Sequence, residues 1–127
     1  MPELMQLRYY TLDVFTSTRF GGNPLAVVFD ADALTTEQMQ AIAREFNYSE
    51  TTFVHRPDNP DNDARVRIFV PTEEVPFAGH PNVGTAHALA LRGDFGPLDD
   101  GLRNVRFEEL AGVVPVTIEC RGGAPVN

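Results

Sequence analysis

The sequence predicts an α+β domain in which an antiparallel or mixed sheet curls around a central apolar helix. Strand-type segments occur in neighbouring pairs joined by short turns, which favours antiparallel pairing. The segment from Pro81 to Leu91 leaves almost no polar face, so the helix that it predicts must be covered on most sides. A chain of 127 residues, 43% of them hydrophobic, is large enough for one such core.

The first elements follow from alternation and turn signals. Dense β-formers that alternate in character predict a strand from Leu4 to Val14. A loop from Phe15 to Asn23 leads to a second, apolar strand from Leu25 to Phe29.

A helix is predicted after Thr35. Thr35 and Gln38 have the spacing of a capping box, and Asn47 is suited to end the helix because asparagine tolerates left-handed geometry. Between them, apolar residues recur at the helical period: Met39, Ile42, Ala43 and Phe46.

Two hairpins complete the predicted count of six strands and two helices. The first pairs Glu50–Val54 with Ala64–Val70, and the second pairs Val105–Leu110 with Val113–Glu119. Residues 1–120 are expected to form a single domain, and residues 121–127 have the composition of a tail or linker.

Charge and cysteine content restrict the possible partners. Ten Lys and Arg against eighteen Asp and Glu give a net charge of -8, which argues against nucleic acid and against an anionic membrane surface. One cysteine, Cys120, excludes an intrachain disulfide and is interpreted as a structural thiol. With neither a signal segment nor a membrane-spanning run in the sequence, we expect a cytoplasmic protein.

The loop around Gly79-His80-Pro81 is the most informative stretch. We expect His80 near the N-cap of the apolar helix and Pro81 at its first position, where a missing N–H costs nothing. The remaining first-turn amides and the helix dipole favour a carboxylate or phosphate, so the loop predicts an anion-binding site.

Four ordered motifs resemble the PhzF family of phenazine-biosynthesis-like isomerases, which are relatives of diaminopimelate epimerase. The resemblance runs from about Tyr10 to Leu91 and more loosely to Glu119. The motifs are Phe20–Val27, Asn47–Phe53, Arg67–Pro71 and Glu74–Pro81.

The resemblance implies a fold of two similar halves with the active site between them, of which this chain looks like the first. It implies that Glu50 is the acid/base that moves a proton on a substrate carbon, and that Gly79 and His80 help to hold the substrate. An aspartate expected from the second half has no counterpart here. Partial burial of Glu50 would suit that role, because burial raises the pKa of a carboxyl group.

Further site residues are predicted around the same loop. The substrate-binding residues are taken as Gly79, His80, Pro81, Asn82 and Asn23, with His80 as an orienting hydrogen-bond group. Asn23 lies in a Gly-Gly-Asn-Pro turn and is equally well explained as a turn residue.

No metal and no cofactor are expected. His80 and His87 lie two helical turns apart rather than at the i, i+4 spacing of a helical zinc pair, and His87 is interpreted as a polar residue satisfied within the fold. The glycines form neither a Walker loop nor a dinucleotide fingerprint.

The sequence therefore predicts a cofactor-independent isomerase or epimerase acting on a small carboxylic acid, with an active site built from two halves. The alternative is a catalytically incomplete half-domain that binds small molecules or serves assembly. In either case, the expected partner is a second copy of the chain or a missing C-terminal half.

Overall fold

The computed structural model describes residues 6–14 and 23–126, which form one mixed sheet with an α-helix on each face. The helices are α1 (Thr36–Phe46) and α2 (Gly79–Arg92). The strands are β1 (Tyr9–Val14), β2 (Asn23–Val28), β3 (Glu50–His55), β4 (Ala64–Phe69), β5 (Glu74–Val75), β6 (Gly101–Glu109), β7 (Gly112–Arg121) and β8 (Ala124–Pro125).

The sheet has the order β1-β2-β3-β4-β6-β7-β8, and β5 adds to β4. The pairs β2–β3 and β4–β6 are parallel, and the other neighbours are antiparallel. Both predicted hairpins are present as antiparallel pairs, β3–β4 and β6–β7. Helix α1 supplies the crossover that two parallel strands require between β2 and β3.

Helix α1 begins and ends as its sequence predicts. The Thr35 hydroxyl accepts a hydrogen bond from the Gln38 N–H at 3.1 Å, and the Gln38 side chain accepts one from the Thr35 N–H at 2.9 Å. Asn47 follows the helix in the left-handed region, with φ 53°. This helix packs on one face of the sheet, where its buried Met39 and Ala43 join a cluster with Phe53 and Phe69 of the strands.

Helix α2 lies in the concave face of the sheet. It contacts β1 and β2 towards one edge of the sheet and β7 and β8 at the other, so the sheet curls around it. Its alanines and Leu89 pack with apolar side chains from across the sheet, including Val27, Ile68, Val105 and Phe107. The predicted α+β class, with a mixed sheet curled around an apolar helix, is confirmed.

Two boundaries near the start of the sheet and of α2 differ from the prediction. The first strand begins at Tyr9 rather than Leu4, and residues 4–5 lie outside the described part of the chain. Helix α2 begins at Gly79, with Ala78 as N-cap, so His80 and Pro81 are its second and third residues. Proline fits the third position as well as the first, because no N–H in the first turn has an intrahelical acceptor.

The tail carries a short strand. Gly122 and Gly123 adopt φ of 63° and 81°, a tight turn that allows Ala124–Pro125 to pair with β7. The Val126 N–H donates to the Glu119 carbonyl at 2.8 Å. A Gly-Gly-Ala-Pro composition is typical of linkers and of such turns alike, which is why the strand was not predicted.

Candidate active site

Strand β3 and helix α2 run side by side in the same direction. Thr52 and Thr85 are fully buried, and their hydroxyls share a hydrogen bond of 2.8 Å. Glu50, two residues earlier on the same face of β3, contacts His80, five residues earlier on α2. Two strand residues span about 6.7 Å and five helix residues about 7.5 Å, so both contacts form without bending either element.

Glu50 is a buried carboxyl group at the N-terminal end of the central strand β3. It is the first residue of β3, is paired in register with Leu25 of β2, and is only 7% exposed. Burial raises the pKa of Glu50 above its ordinary value of 4.5, and the charge and hydrogen bond of His80 oppose that rise. The net direction is upward, which brings this carboxyl group closer to the range in which it can both accept and return a proton.

His80 connects this buried carboxyl group with the surface. Its Nε2 contacts Glu50 Oε1, while 23% of its side chain is exposed. Ala78 provides no side-chain cap to the helix start. The first-turn N–H groups and the positive end of the helix dipole therefore lie beside His80, where a carboxylate could bind.

A second carboxyl group, Glu109, lies at the same turn of α2. It ends β6, and the Asn82 side-chain amide donates to its Oε1 at 3.4 Å. Burial raises the pKa of Glu109 to about 7, and the hydrogen bond from Asn82 opposes this shift. Because residues 80 and 82 are about 200° apart around a helix, the two carboxyl groups contact the first turn from opposite sides.

Sequence reasoning missed Glu109, although the strand pattern contained a signal. Val105 and Phe107 are fully buried on the face of β6 that looks towards α2. Glu109 follows at the same two-residue period, so its side chain faces the helix rather than solvent.

The structure brings some of the predicted site residues together and separates others. Glu50 and His80 are in contact, and Gly79 directly precedes His80 at the start of α2. Pro81 and Asn82 are buried, and the Asn82 amide is directed at Glu109. The backbone of Asn23 begins β2 two residues before Leu25, the register partner of Glu50, so it lies at the same end of the parallel strands β2 and β3.

The remaining histidines and the cysteine lie away from this turn. His55 ends β3, where its Nδ1 lies 3.1 Å from the Phe53 carbonyl, and burial lowers its pKa. Burial also lowers the pKa of His87. Cys120 is a buried free thiol in the core. Within residues 6–14 and 23–126, no three His, Cys, Asp or Glu side chains converge as a metal site would require, and neither helix has the length and apolarity to cross a membrane.

Exposed apolar side chains flank the start of α2. Phe77 is 52% exposed in the loop before the helix, and Leu110 and Val113 are 62% and 48% exposed at the β6–β7 turn. The Ala111 N–H donates to the Pro76 carbonyl at 3.4 Å, which holds this turn against the loop. The candidate site is therefore bordered by an apolar surface, defined as Phe77, Leu110 and Val113.

Comparison with known proteins identifies a matching family and several similar proteins. The PhzC-PhzF family, described as phenazine biosynthesis-like protein, matches residues 12–125. A trans-2,3-dihydro-3-hydroxyanthranilate isomerase of Pseudomonas aeruginosa is 48% identical over 119 residues, which cover 94% of this chain and 40% of that protein. An uncharacterized isomerase of Mesorhizobium japonicum is 63% identical over 94 residues, covering 72% of this chain and 31% of the relative.

A solved structure agrees with this assignment. The PhzF-family phenazine biosynthesis protein of Bacillus anthracis superimposes with a TM-score of 0.79 at 36% identity, covering 95% of this chain and 39% of that one. The chain thus spans less than half the length of each of these relatives.

Proposed function

Since this chain belongs to the PhzC-PhzF family of phenazine biosynthesis-like proteins, we propose that it forms one wall of an isomerase active site in which Glu50 moves a proton on a small carboxylic acid. The observation that carries the proposal is the buried Glu50 carboxyl group in contact with His80 at the uncapped start of α2. The relative of this chain in Pseudomonas aeruginosa is an isomerase of trans-2,3-dihydro-3-hydroxyanthranilate, a small unsaturated carboxylic acid.

The proposed reaction is a proton relocation that needs no co-reactant. Glu50 in its ionised form takes a proton from a substrate carbon, and the electron pair of the broken C–H bond moves into the adjacent unsaturated system. Glu50 then returns the proton to another carbon or to the opposite face of the same one. The net change is an isomerisation, and the carboxyl group ends in the state in which it began.

His80 and the first turn of α2 have positioning roles in this proposal. The substrate carboxylate binds at the helix N-terminus beside Gly79, and His80 orients both the substrate and Glu50 through hydrogen bonds. A net charge of -8 repels an anionic substrate at long range, so this local site supplies the attraction.

The opposing wall comes from a partner in this proposal, either a C-terminal half or a second copy of the chain. The chain's share of its relatives' length supports this, as does the apolar surface beside the site. A partner seated on Phe77, Leu110 and Val113 would exclude water from Glu50 and could supply a second acid or base.

Deuterium incorporation into trans-2,3-dihydro-3-hydroxyanthranilate in D2O tests the proposal. The chain is assayed alone and co-expressed with the part of the Pseudomonas aeruginosa isomerase beyond the matched region. We expect incorporation in the co-expressed form, a loss of about 100-fold or more in Glu50→Gln, and no change in Glu45→Gln, a control at an exposed carboxylate on α1.

Two outcomes would overturn the proposal. Undiminished incorporation in Glu50→Gln removes Glu50 from the chemistry. The second outcome is that the ligand changes the NMR signals of Glu50 and His80, but no deuterium is incorporated by the chain alone or by the co-expressed form. This result would identify the chain as a small-molecule-binding half-domain instead.

A further inference from the structure

Asn82 and Glu109 are joined by one hydrogen bond, and each also carries a buried oxygen without a partner among the described residues. Asn82 is 2% exposed, and its amide donates to Glu109 Oε1 at 3.4 Å. Asn82 Oδ1 and Glu109 Oε2 are both buried and have no hydrogen-bond partner among the described residues. An amide oxygen and an ionised carboxylate oxygen are both acceptors, so neither can satisfy the other without an added proton.

We propose that Glu109 is protonated in the folded protein, so that its Oε2–H donates to Asn82 Oδ1 while the Asn82 amide donates to Oε1. This two-bond pair makes Glu109 a positioning residue that fixes the first turn of α2, and with it His80 against Glu50. The effect on catalysis rests on the proposed function, whereas the pair itself does not.

The location of the pair explains how it would act on the site. Asn82 lies two residues after His80 in a first turn that has no side-chain cap. The Ala111 N–H donates to the Pro76 carbonyl, a second link between the β6–β7 turn and the chain entering α2. Loss of the Glu109 proton would place a buried negative charge against the Asn82 oxygen and push this turn away from β6.

No cation in the described part of the chain offsets a charge on Glu109. Burial raises its pKa to about 7, and the only opposing influence is the Asn82 hydrogen bond. On β6, Glu108 faces the other way and accepts hydrogen bonds from the loop at 58–62. On β7 its register partner is Gly112, and on β5 the Glu74 carboxylate is paired with Arg67. His80, on the opposite side of the helix turn, is engaged with Glu50.

The chain therefore loses this proton as the pH rises through about 7. Glu109→Gln is the decisive variant, because its side-chain amide donates to Asn82 Oδ1 and its oxygen accepts from the Asn82 amide at every pH. Glu109→Ala removes both bonds. Glu119→Gln is a matched control at an exposed carboxylate of the same sheet.

NMR of the full chain between pH 3.5 and 8.5 tests the pair without requiring turnover. In the wild type and in Glu119→Gln, we expect the Asn82 side-chain NH2 signals and the first-turn amide signals to titrate together, with a midpoint near pH 7. In Glu109→Gln the Asn82 side-chain NH2 signals should stay at the acid-form position. A His80→Gln variant should keep the titration, which assigns the midpoint to Glu109.

The proposal is overturned if Glu109→Gln titrates like the wild type, or if the wild-type midpoint lies near the ordinary glutamate value of 4.5. In the co-expressed enzyme, Glu109→Gln should keep its rate above pH 7 where the wild-type rate falls. If Glu109 titrates as expected but no turnover is found, only the proposed function is contradicted. If turnover is found but Glu109 does not titrate as expected, only the proposed Asn82–Glu109 pair is contradicted.

Discussion

Replacing Thr85 with valine tests whether the hydrogen bond between Thr52 and Thr85 stabilises the packing of α2 on β3 beside the site. The Thr52 and Thr85 hydroxyls share a 2.8 Å hydrogen bond, and both residues are 0% exposed. Valine keeps the volume but removes the hydroxyl, so Thr52 is left buried and unpaired. Leaving one buried polar group unsatisfied costs about 1–3 kcal/mol, whereas removing both partners is nearly neutral.

The double-mutant cycle measures this directly. Urea unfolding should show that Thr85→Val and Thr52→Val each lose about 2 kcal/mol, while the double variant loses much less than their sum. For a chain of this length, 2 kcal/mol lowers the Tm by roughly 5–10 °C. Additive losses in the double variant would refute the reasoning, since they would mean that the two hydroxyls do not depend on each other.

Three further predictions concern stability and association. Thr35→Ala should destabilise α1 by about 1 kcal/mol in urea unfolding, because it removes half of the capping box; an unchanged midpoint would contradict this. The folded pKa of Glu109 is raised, so its stabilising contribution is complete below pH 4.5 and lost as the pH rises to about 7. After allowance for partial exposure, the wild type should lose about 1.5 kcal/mol more stability between pH 5 and pH 8 than Glu109→Gln does, since the shifted groups Glu50, His55 and His87 are common to both. Phe77→Ser with Leu110→Ser should reduce self-association of the chain in sedimentation, and an unaltered association constant would exclude the apolar surface as the contact.

The features that the sequence predicted correctly depend on interactions between residues close together in the chain. The capping box of Thr35 and Gln38 and the left-handed Asn47 depend on neighbours within a few residues, and both formed as predicted. The apolar run of α2 required cover on most sides, and the paired strand segments could supply that cover, so the fold class followed from the two observations together.

Contacts between distant residues were not accessible in the same way. Glu50 and His80 are thirty positions apart, and only the family resemblance linked them before the structure placed them in contact. Glu109 was missed because a glutamate next to a turn is usually exposed. The two-residue period of the strand nevertheless places it on the same face of β6 as the buried Val105 and Phe107. The start of α2 at Gly79 was also missed, because proline is tolerated throughout the first helical turn.

The most direct test of the central claim is the rate of deuterium incorporation by Glu50→Gln in the co-expressed enzyme, measured beside ligand-induced NMR shifts of the first turn of α2. If Glu50 carries the proton, the rate falls about 100-fold or more while the ligand shifts remain. A variant that binds the ligand and exchanges deuterium at the wild-type rate would contradict the claim.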